Sequence, residues 1–358
     1  MSTGAWPSIR RELTVPTLLE REIASQPGLL AQLLDREADH IERIVRALPP
    51  FHYIHIAARG SSDHAALYAS YVFAGLAGYP VSLATPSLHT LYTTPPRLDG
   101  ALVVGISQSG QSPDILAVLE EGKRQGRPTI AITNDGASPL AARADHVIEL
   151  HVGREESVAA TKTYTAELAV IATFAARWSG QPAQLAQLGR LPETLTHALE
   201  LATASAGGAV RYAHADHCAV IARGYNYATA FELALKLKEL TYMNATAYSS
   251  ADFRHGPIAT IERGFPVVLI MPSGAALADM LDLRDELRRR EADLIVISDD
   301  PRALAGAATA MPLPHDVPEW LSPIVAILPG QQMALRLAEA KGFNPDEPRG
   351  LRKVTRTR

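Results

Sequence analysis

The stretch ALVVGISQSGQSPDILAVLEEGKRQG, residues 101–126, decides the fold. Ala101 to Ile106 is a short apolar run of the kind a buried parallel strand needs, and Ser112-Pro113 supplies an N-cap followed by proline at the first helical position. Lys123 and Arg124, with Gly126 just beyond, form a matching stop signal. The spacing predicts strand, loop and helix, with the helix beginning at Pro113. The intervening SQSGQSPD points backbone N–H groups and hydroxyls above the strand's carboxyl end, where open α/β sheets bind ligands. Ser107, Ser109 and Ser112 add neutral donors, Gln108 and Gln111 lie between them, and Gly110 lets the backbone approach closely. The loop has no lysine and so is not a P-loop. A hydroxyl-rich cradle of this kind suits a phosphate monoester on a small metabolite better than a nucleoside triphosphate with its metal. Serines in such a loop also serve as plain turn chemistry.

Strand and helix signals alternate on both sides of this unit. Upstream come HYIHIAA, a helix from Ser62, and PVSLA; downstream come PTIAIT, HVIELHV and a helix from about Thr161 to Trp178. Ser179-Gly180-Gln181-Pro182 breaks the pattern, and a second alternation follows at HCAVIA, FPVVLIM and DLIVIS. Ala58-Arg59-Gly60 closes the opening strand of the first unit and Ala222-Arg223-Gly224 that of the second, so the two units read as copies. The expectation is an α/β protein with two doubly wound parallel sheets in three-layer α/β/α subdomains, in tandem. Residues 1–48 form a helical segment (Thr17 to Ser25, then Gly28 to Leu48) that looks like packing material. Residues 49–190 and 191–342 are the two subdomains, and 343–358 a tail.

At 358 residues with 47% hydrophobic content the chain can bury two cores. A net charge of −4 leaves no electrostatic footprint for nucleic acid or an anionic membrane, so the expected partner is a small molecule. The single cysteine, Cys218 inside HCAVIA, excludes a disulfide framework and fits a reducing cytoplasm. The N-terminus mixes Arg10, Arg11, Glu12, Glu20 and Arg21, and nowhere do eighteen uncharged apolar residues run together. Neither export nor membrane insertion is expected. Metal spacing such as H-E-x-x-H or C-x-x-C is missing, and no metal or cofactor is expected.

Four stretches could carry chemistry. In FELALKLKELTY, Phe231 to Tyr242, Leu233, Leu237 and Leu240 share one helical face and Glu232, Lys236 and Glu239 another. That second face reads either as a surface Glu–Lys ladder or as a carboxylate base with an ammonium beside it. His255, before Gly256-Pro257, is pinned in a non-helical turn; it is a loop histidine satisfied by backbone or a general acid/base near neutral pH. The segment Glu155 to Lys162 forms a loop and N-cap, with Thr161 the expected cap, and reads as a second ligand wall or as plain helix capping. The tail carries Arg349, Arg352, Lys353, Arg356 and Arg358. Such a basic tail is usually solvated or disordered; folded over the crevice it would add positive charge and a lysine able to form a Schiff base.

Together REIASQP, RGSSDHA, ISQSGQSPD, ESVAATKTYT, ALKLKEL, HGP and NPDEPRGLRKVT resemble, in order and over nearly the whole chain, the sugar isomerase (SIS) family. The resemblance is to the isomerase half of glucosamine-6-phosphate synthase and its stand-alone relatives, the SIS-type glucosamine-6-phosphate deaminases. It implies two SIS subdomains, a phosphate held by Ser62, Ser107, Gln108, Ser109 and Ser112, and backbone near Val158 and Ala159 lining the sugar. By the same match Glu239 resembles the carboxylate that shuttles a proton between C1 and C2, with Lys236 beside it. His255 resembles a ring-opening acid/base that reaches across from a neighbouring subunit, which implies a homodimer, and Lys353 matches a Schiff-base lysine. Residue 2 is serine where the synthase has a nucleophilic cysteine, so no ammonia from glutamine is expected. RGSS in place of CGTS, Ala160, SSADF and VTRTR are closer to the deaminase branch. The expected reaction is D-glucosamine 6-phosphate and water to D-fructose 6-phosphate and ammonia. Close alternatives are a galactosamine-6-phosphate deaminase, a fructosamine-6-phosphate deglycase and reverse amination with free ammonia; a non-catalytic sugar-phosphate-binding regulator is an alternative of another class.

Overall fold

A computed structural model describes residues 15–351 and 353. Ser2, Arg10, Arg11, Glu12, Arg352, Arg356 and Arg358 lie outside the described residues. Strands β1 (Tyr53–Ala57), β2 (Val81–Leu83), β3 (Ala101–Ile106), β4 (Thr129–Thr133) and β5 (His146–Glu149) form one sheet in the order β2-β1-β3-β4-β5. Strands β6 (His217–Ala222), β7 (Asn244–Ser249), β8 (Pro266–Ile270), β9 (Asp293–Ser298) and β10 (Thr309–Pro312) form the other, in the order β10-β9-β8-β6-β7. Read from β7, the second sheet repeats the topology of the first, and every pairing is parallel. The duplication read from Arg-Gly after each opening strand is thus a duplication of the whole unit.

The layering follows from strand alternation. All six residues of β3 are buried; Leu102, Val104 and Ile106 join the large central core, while Ala101 and Val103 pack with Ile115, Val118 and Leu119 of the helix Pro113–Arg124 on the other face. In β8, Val268 and Ile270 enter the central core and Val267 and Leu269 an outer one. The central core is continuous between the units, running from Tyr68 through Tyr164 and Leu233 to Leu335. Cys218 is buried, and burial pushes its thiol up to about 12, so it is no nucleophile. No described helix is long and apolar enough to cross a membrane.

One element departs from expectation. The first segment is a single helix, Leu18–Ala47, rather than two, and it carries Pro27 in its interior. Proline removes the N–H that would reach the Ile23 carbonyl, and Gln26 Nε2 supplies the missing bond to Ile23 O at 3.0 Å. Gln26 also receives the Thr165 hydroxyl on its Oε1 (2.9 Å), so the break in the ladder is repaired by a buried side chain.

Candidate active site

A crevice of about 400 Å³ opens at the carboxyl ends of β1 and β3, where the strand order changes direction. Ser62, Ser107, Gln108, Ser109 and Ser112 line it together with Lys236, Glu239, Val158 and Lys353. The expected phosphate residues and three of the four expected catalytic residues are therefore brought to one place.

The cradle is built as the sequence pattern predicts, with one change of emphasis. The helix begins at Pro113, and Ser112 holds the extended N-cap conformation with no side-chain bond to the helix, its residue lining the crevice. Gly110 has φ +59°, and a side chain there would also collide with Ser138, so packing against the neighbouring loop demands the glycine as much as ligand approach does. Arg59 adds a cation that the lysine-free loop did not suggest. Its Nε bonds Asp114 Oδ2 at 2.7 Å, and its exposed guanidinium faces the same crevice.

The opposite wall is the helix Tyr227–Thr241. Leu233, Leu237 and Leu240 face the core, and Glu232 and Lys236 are buried as well, at 0% and 1% exposure, which overturns the surface-ladder reading. The start of the helix Ser61–Ala77 covers them. Ser61 Oγ and His64 Nδ1 reach Glu232 at 2.9 and 2.7 Å, and Lys236 Nζ lies 3.4 Å from Glu232 and 2.6 Å from Glu239. Burial pulls the Lys236 ammonium down, but Glu232 and Glu239 outweigh it and hold its pKa above the usual lysine range. Lys236 is a fixed cation here, not a proton acceptor.

The third wall is the loop before the helix Lys162–Ser179, closed by the tail. Val158 and Ala160 line the crevice, while Ala159 between them is fully buried. Thr161 occupies the N-cap position without a side-chain cap bond; the cap is Glu155, whose Oε1 accepts from Thr161 N and Thr163 N at 2.9 and 3.2 Å. Its Oε2 accepts from Thr163 Oγ1 and from Lys353 Nζ at 2.7 and 2.6 Å. Burial pushes this carboxyl up, yet Lys353 and the cap bonds hold it below the ordinary carboxylate range. The tail is also anchored upstream, where Asp346 accepts from Leu18 N and Leu19 N at 2.8 and 2.9 Å and Arg349 stacks over Tyr242.

Two further carboxylates act here without having been expected to. Glu22, on the helix read as packing material, accepts from the backbone of Glu156 and Ser157 and from the Ser157 hydroxyl, so this helix holds the loop that walls the crevice. Glu167, 1% exposed, accepts from Ser62 Oγ at 2.8 Å and lines the crevice. Glu22 lies inside the block REIASQP, its only signal in the sequence; Glu167 has none. His255 ends the short helix Ser250–Arg254, is exposed, and does not line this crevice. Among the described residues no group of three or more His, Cys, Asp or Glu is placed to hold a metal.

A model of the SIS domain matches residues 51–177 and 211–336. The glutamine–fructose-6-phosphate aminotransferase (isomerizing) of Pyrococcus horikoshii is 34% identical over 340 residues, which cover 93% of this chain and 56% of that protein. The chain spans about half the length of the curated relatives it matches. The C-terminal domain of the glucosamine-fructose-6-phosphate aminotransferase of Francisella tularensis superposes with a TM-score of 0.86 at 27% identity, covering 95% of this chain and 100% of that one. Glucosamine-6-phosphate deaminase of Thermotoga maritima gives 0.80 at 21% identity over 95% and 100% of the two chains, a likeness of fold.

Proposed function

The chain belongs to the SIS-domain family, and on that premise we propose that it is an amino-sugar phosphate deaminase/isomerase converting D-glucosamine 6-phosphate and water to D-fructose 6-phosphate and ammonia. One observation carries the reading: a single crevice of about 400 Å³ joins a hydroxyl cradle to a carboxylate held 2.6 Å from a buried ammonium. In this reading Ser62, Ser107, Gln108, Ser109 and Ser112 take the phosphate in front of a helix N-terminus, and Val158 and Ala160, rather than the buried Ala159, wall the sugar. Binding at the phosphate end then sets C1 and C2 over Glu239.

His255, supplied by the partner subunit of a homodimer, opens the pyranose by moving the O1 proton to the ring oxygen. Glu239 removes the C2 proton; the electron pair forms the C1–C2 double bond, and Lys236 stabilises the charge that develops on O1. The proton returns to C1 while the nitrogen lone pair forms C2=N, and an N–H proton passes to O1, giving the neutral ketimine with a C1 hydroxyl. Water adds at C2, the C2–N bond breaks, and ammonia leaves the ketose. Lys353 closes the sugar end from its place on Glu155. The names of the relatives favour a second reading of the same site, amination of fructose 6-phosphate by free ammonia. Purified protein given glucosamine 6-phosphate, with ammonia and fructose 6-phosphate measured together and galactosamine 6-phosphate run in parallel, decides both direction and epimer. Glu239→Gln should cut turnover by about 10²-fold or more and leave phosphosugar binding intact. Normal turnover in that variant sinks the assignment.

A further inference from the structure

Three carboxylates, Glu155, Glu167 and Glu239, and three cations, Arg59, Lys236 and Lys353, line the crevice, and the cations are all paired. Lys236 is taken by Glu239 and Glu232, Lys353 by Glu155, Arg59 by Asp114 and His64 by Glu232. Glu167, on the helix Lys162–Ser179, has no Lys, Arg or His partner among the described residues. Its one hydrogen bond joins Oε1 to Ser62 Oγ at 2.8 Å, and its Oε2 is buried with no partner. A fully buried carboxylate with one neutral bond and no cation cannot keep its charge and takes up a proton instead. Burial pushes Glu167 well above the ordinary carboxylate range; the Ser62 bond pulls the other way, and Glu155 from the loop and Glu232 from the facing helix add to the rise. Tyr164 on its own helix, beside Tyr68, has a phenol that burial keeps neutral.

A hydroxyl both donates and accepts, so the contact between Ser62 and a neutral Glu167 can run in either direction. We propose that Glu167 is a positioning residue of the phosphate cradle: as a neutral acid it donates to Ser62 Oγ, which frees the Ser62 hydroxyl proton to turn toward the ligand phosphate. This rests on the reading of Ser62 as a phosphate ligand. Ionised Glu167 does the reverse, capturing the Ser62 proton and setting a negative charge behind the cradle against a dianion. Phosphosugar affinity is thereby tied to one buried proton.

The test is calorimetric titration of the full chain with fructose 6-phosphate from about pH 7 to about pH 9.5, a range in which the ligand stays dianionic. Through the pH at which Glu167 ionises, the wild-type dissociation constant rises, at a limit of about tenfold per pH unit. Glu167→Gln, whose amide donates to Ser62 at every pH, gives a flat profile, and Ser62→Ala binds about tenfold more weakly at the low end. Parallel profiles for wild type and Glu167→Gln, with Ser62→Ala still weakened and no infrared carbonyl band of a protonated carboxylic acid in wild type, overturn the role of Glu167 and leave the phosphate reading standing. A folded wild type that binds no fructose 6-phosphate overturns both. Should Glu167→Gln fail to fold, the infrared carbonyl band of a protonated carboxylic acid in wild type decides: its presence keeps the inference and its absence overturns it.

Discussion

Glu155 and Glu167 line the same crevice, both fully buried, and they sit on opposite sides of the ordinary carboxylate range. The difference lies in their partners. Glu155 receives two backbone N–H groups, a hydroxyl and Lys353, whereas Glu167 shares one hydrogen bond with a hydroxyl. Their effects on stability run in opposite directions with pH. Glu155, depressed in the folded chain, contributes stability that is present above its unfolded pKa and is lost as pH falls through the folded value. Glu167, raised in the folded chain, favours folding at low pH and costs stability progressively as pH rises above the unfolded carboxyl value of about 4.3. Glu167→Gln should therefore melt at a higher temperature than wild type at about pH 8 and lose that advantage toward about pH 4, since every tenfold difference in proton affinity between the folded and unfolded chain is worth about 1.4 kcal/mol. Thermal melts at the two pH values check it; a variant less stable than wild type at the higher pH contradicts a neutral Glu167. Neither carboxyl's state was legible in the sequence, because a glutamate on a helix declares neither its burial nor its partner.

At the scale of elements, local signals were read well and long-range ones were not. The start at Pro113, the burial of β3 and the leucine face of the helix Tyr227–Thr241 depend on neighbours within a few residues, and all three are found as expected. The helix Leu18–Ala47 is the counterexample. Pro27 reads as a break only if its lost hydrogen bond goes unanswered, and Gln26 answers it. The same helix reaches from Glu22 to Ser157, 135 positions along the chain, and no periodicity in either segment reports that contact. Glu22 thus positions the loop that carries Val158 and Ala160. Replacing it by alanine strands the loop N–H groups of Glu156 and Ser157, leaves the Ser157 hydroxyl only the Ala159 carbonyl as acceptor, and leaves Lys162, 3.5 Å away, without its carboxylate. Each buried orphan costs about 1–3 kcal/mol, so Glu22→Ala should lower stability by several kcal/mol. It should also raise KM for the phosphosugar more than it lowers kcat, since in the proposed reading the loop walls the ligand and carries no reacting group. Steady-state kinetics alongside a denaturant titration separate the two effects, and an unchanged KM in a destabilised variant would reduce Glu22 to packing.

On the scale of the whole molecule, duplication raises the question of how many crevices bind. The two sheets share one topology, Arg59-Gly60 and Arg223-Gly224 follow the matching strands β1 and β6, and Ser109-Gly110 and Ser273-Gly274 stand at the same distance beyond β3 and β8. The local chemistry then diverges. Above β8 the backbone N–H groups of Ala275 and Ala276, ahead of the helix Leu277–Arg289, already donate to the Glu319 carboxylate at 2.8 and 3.4 Å. A side chain at Gly274 would collide with that same carboxylate. The chain's own anion occupies the place that the first unit leaves to a ligand, and a second anion there would meet both a filled donor set and a like charge. The duplication was legible from a repeated tripeptide. Its functional asymmetry was not, because Glu319 lies 44 residues from Ala275 and belongs to no block of the pattern. The consequence is a stoichiometry: titration with fructose 6-phosphate should saturate at one molecule per chain, and Ser109→Ala, in the first cradle, should weaken that single event without uncovering another. Saturation at two per chain would mean that Glu319 yields its seat, and that the second unit has kept the function its fold was copied with.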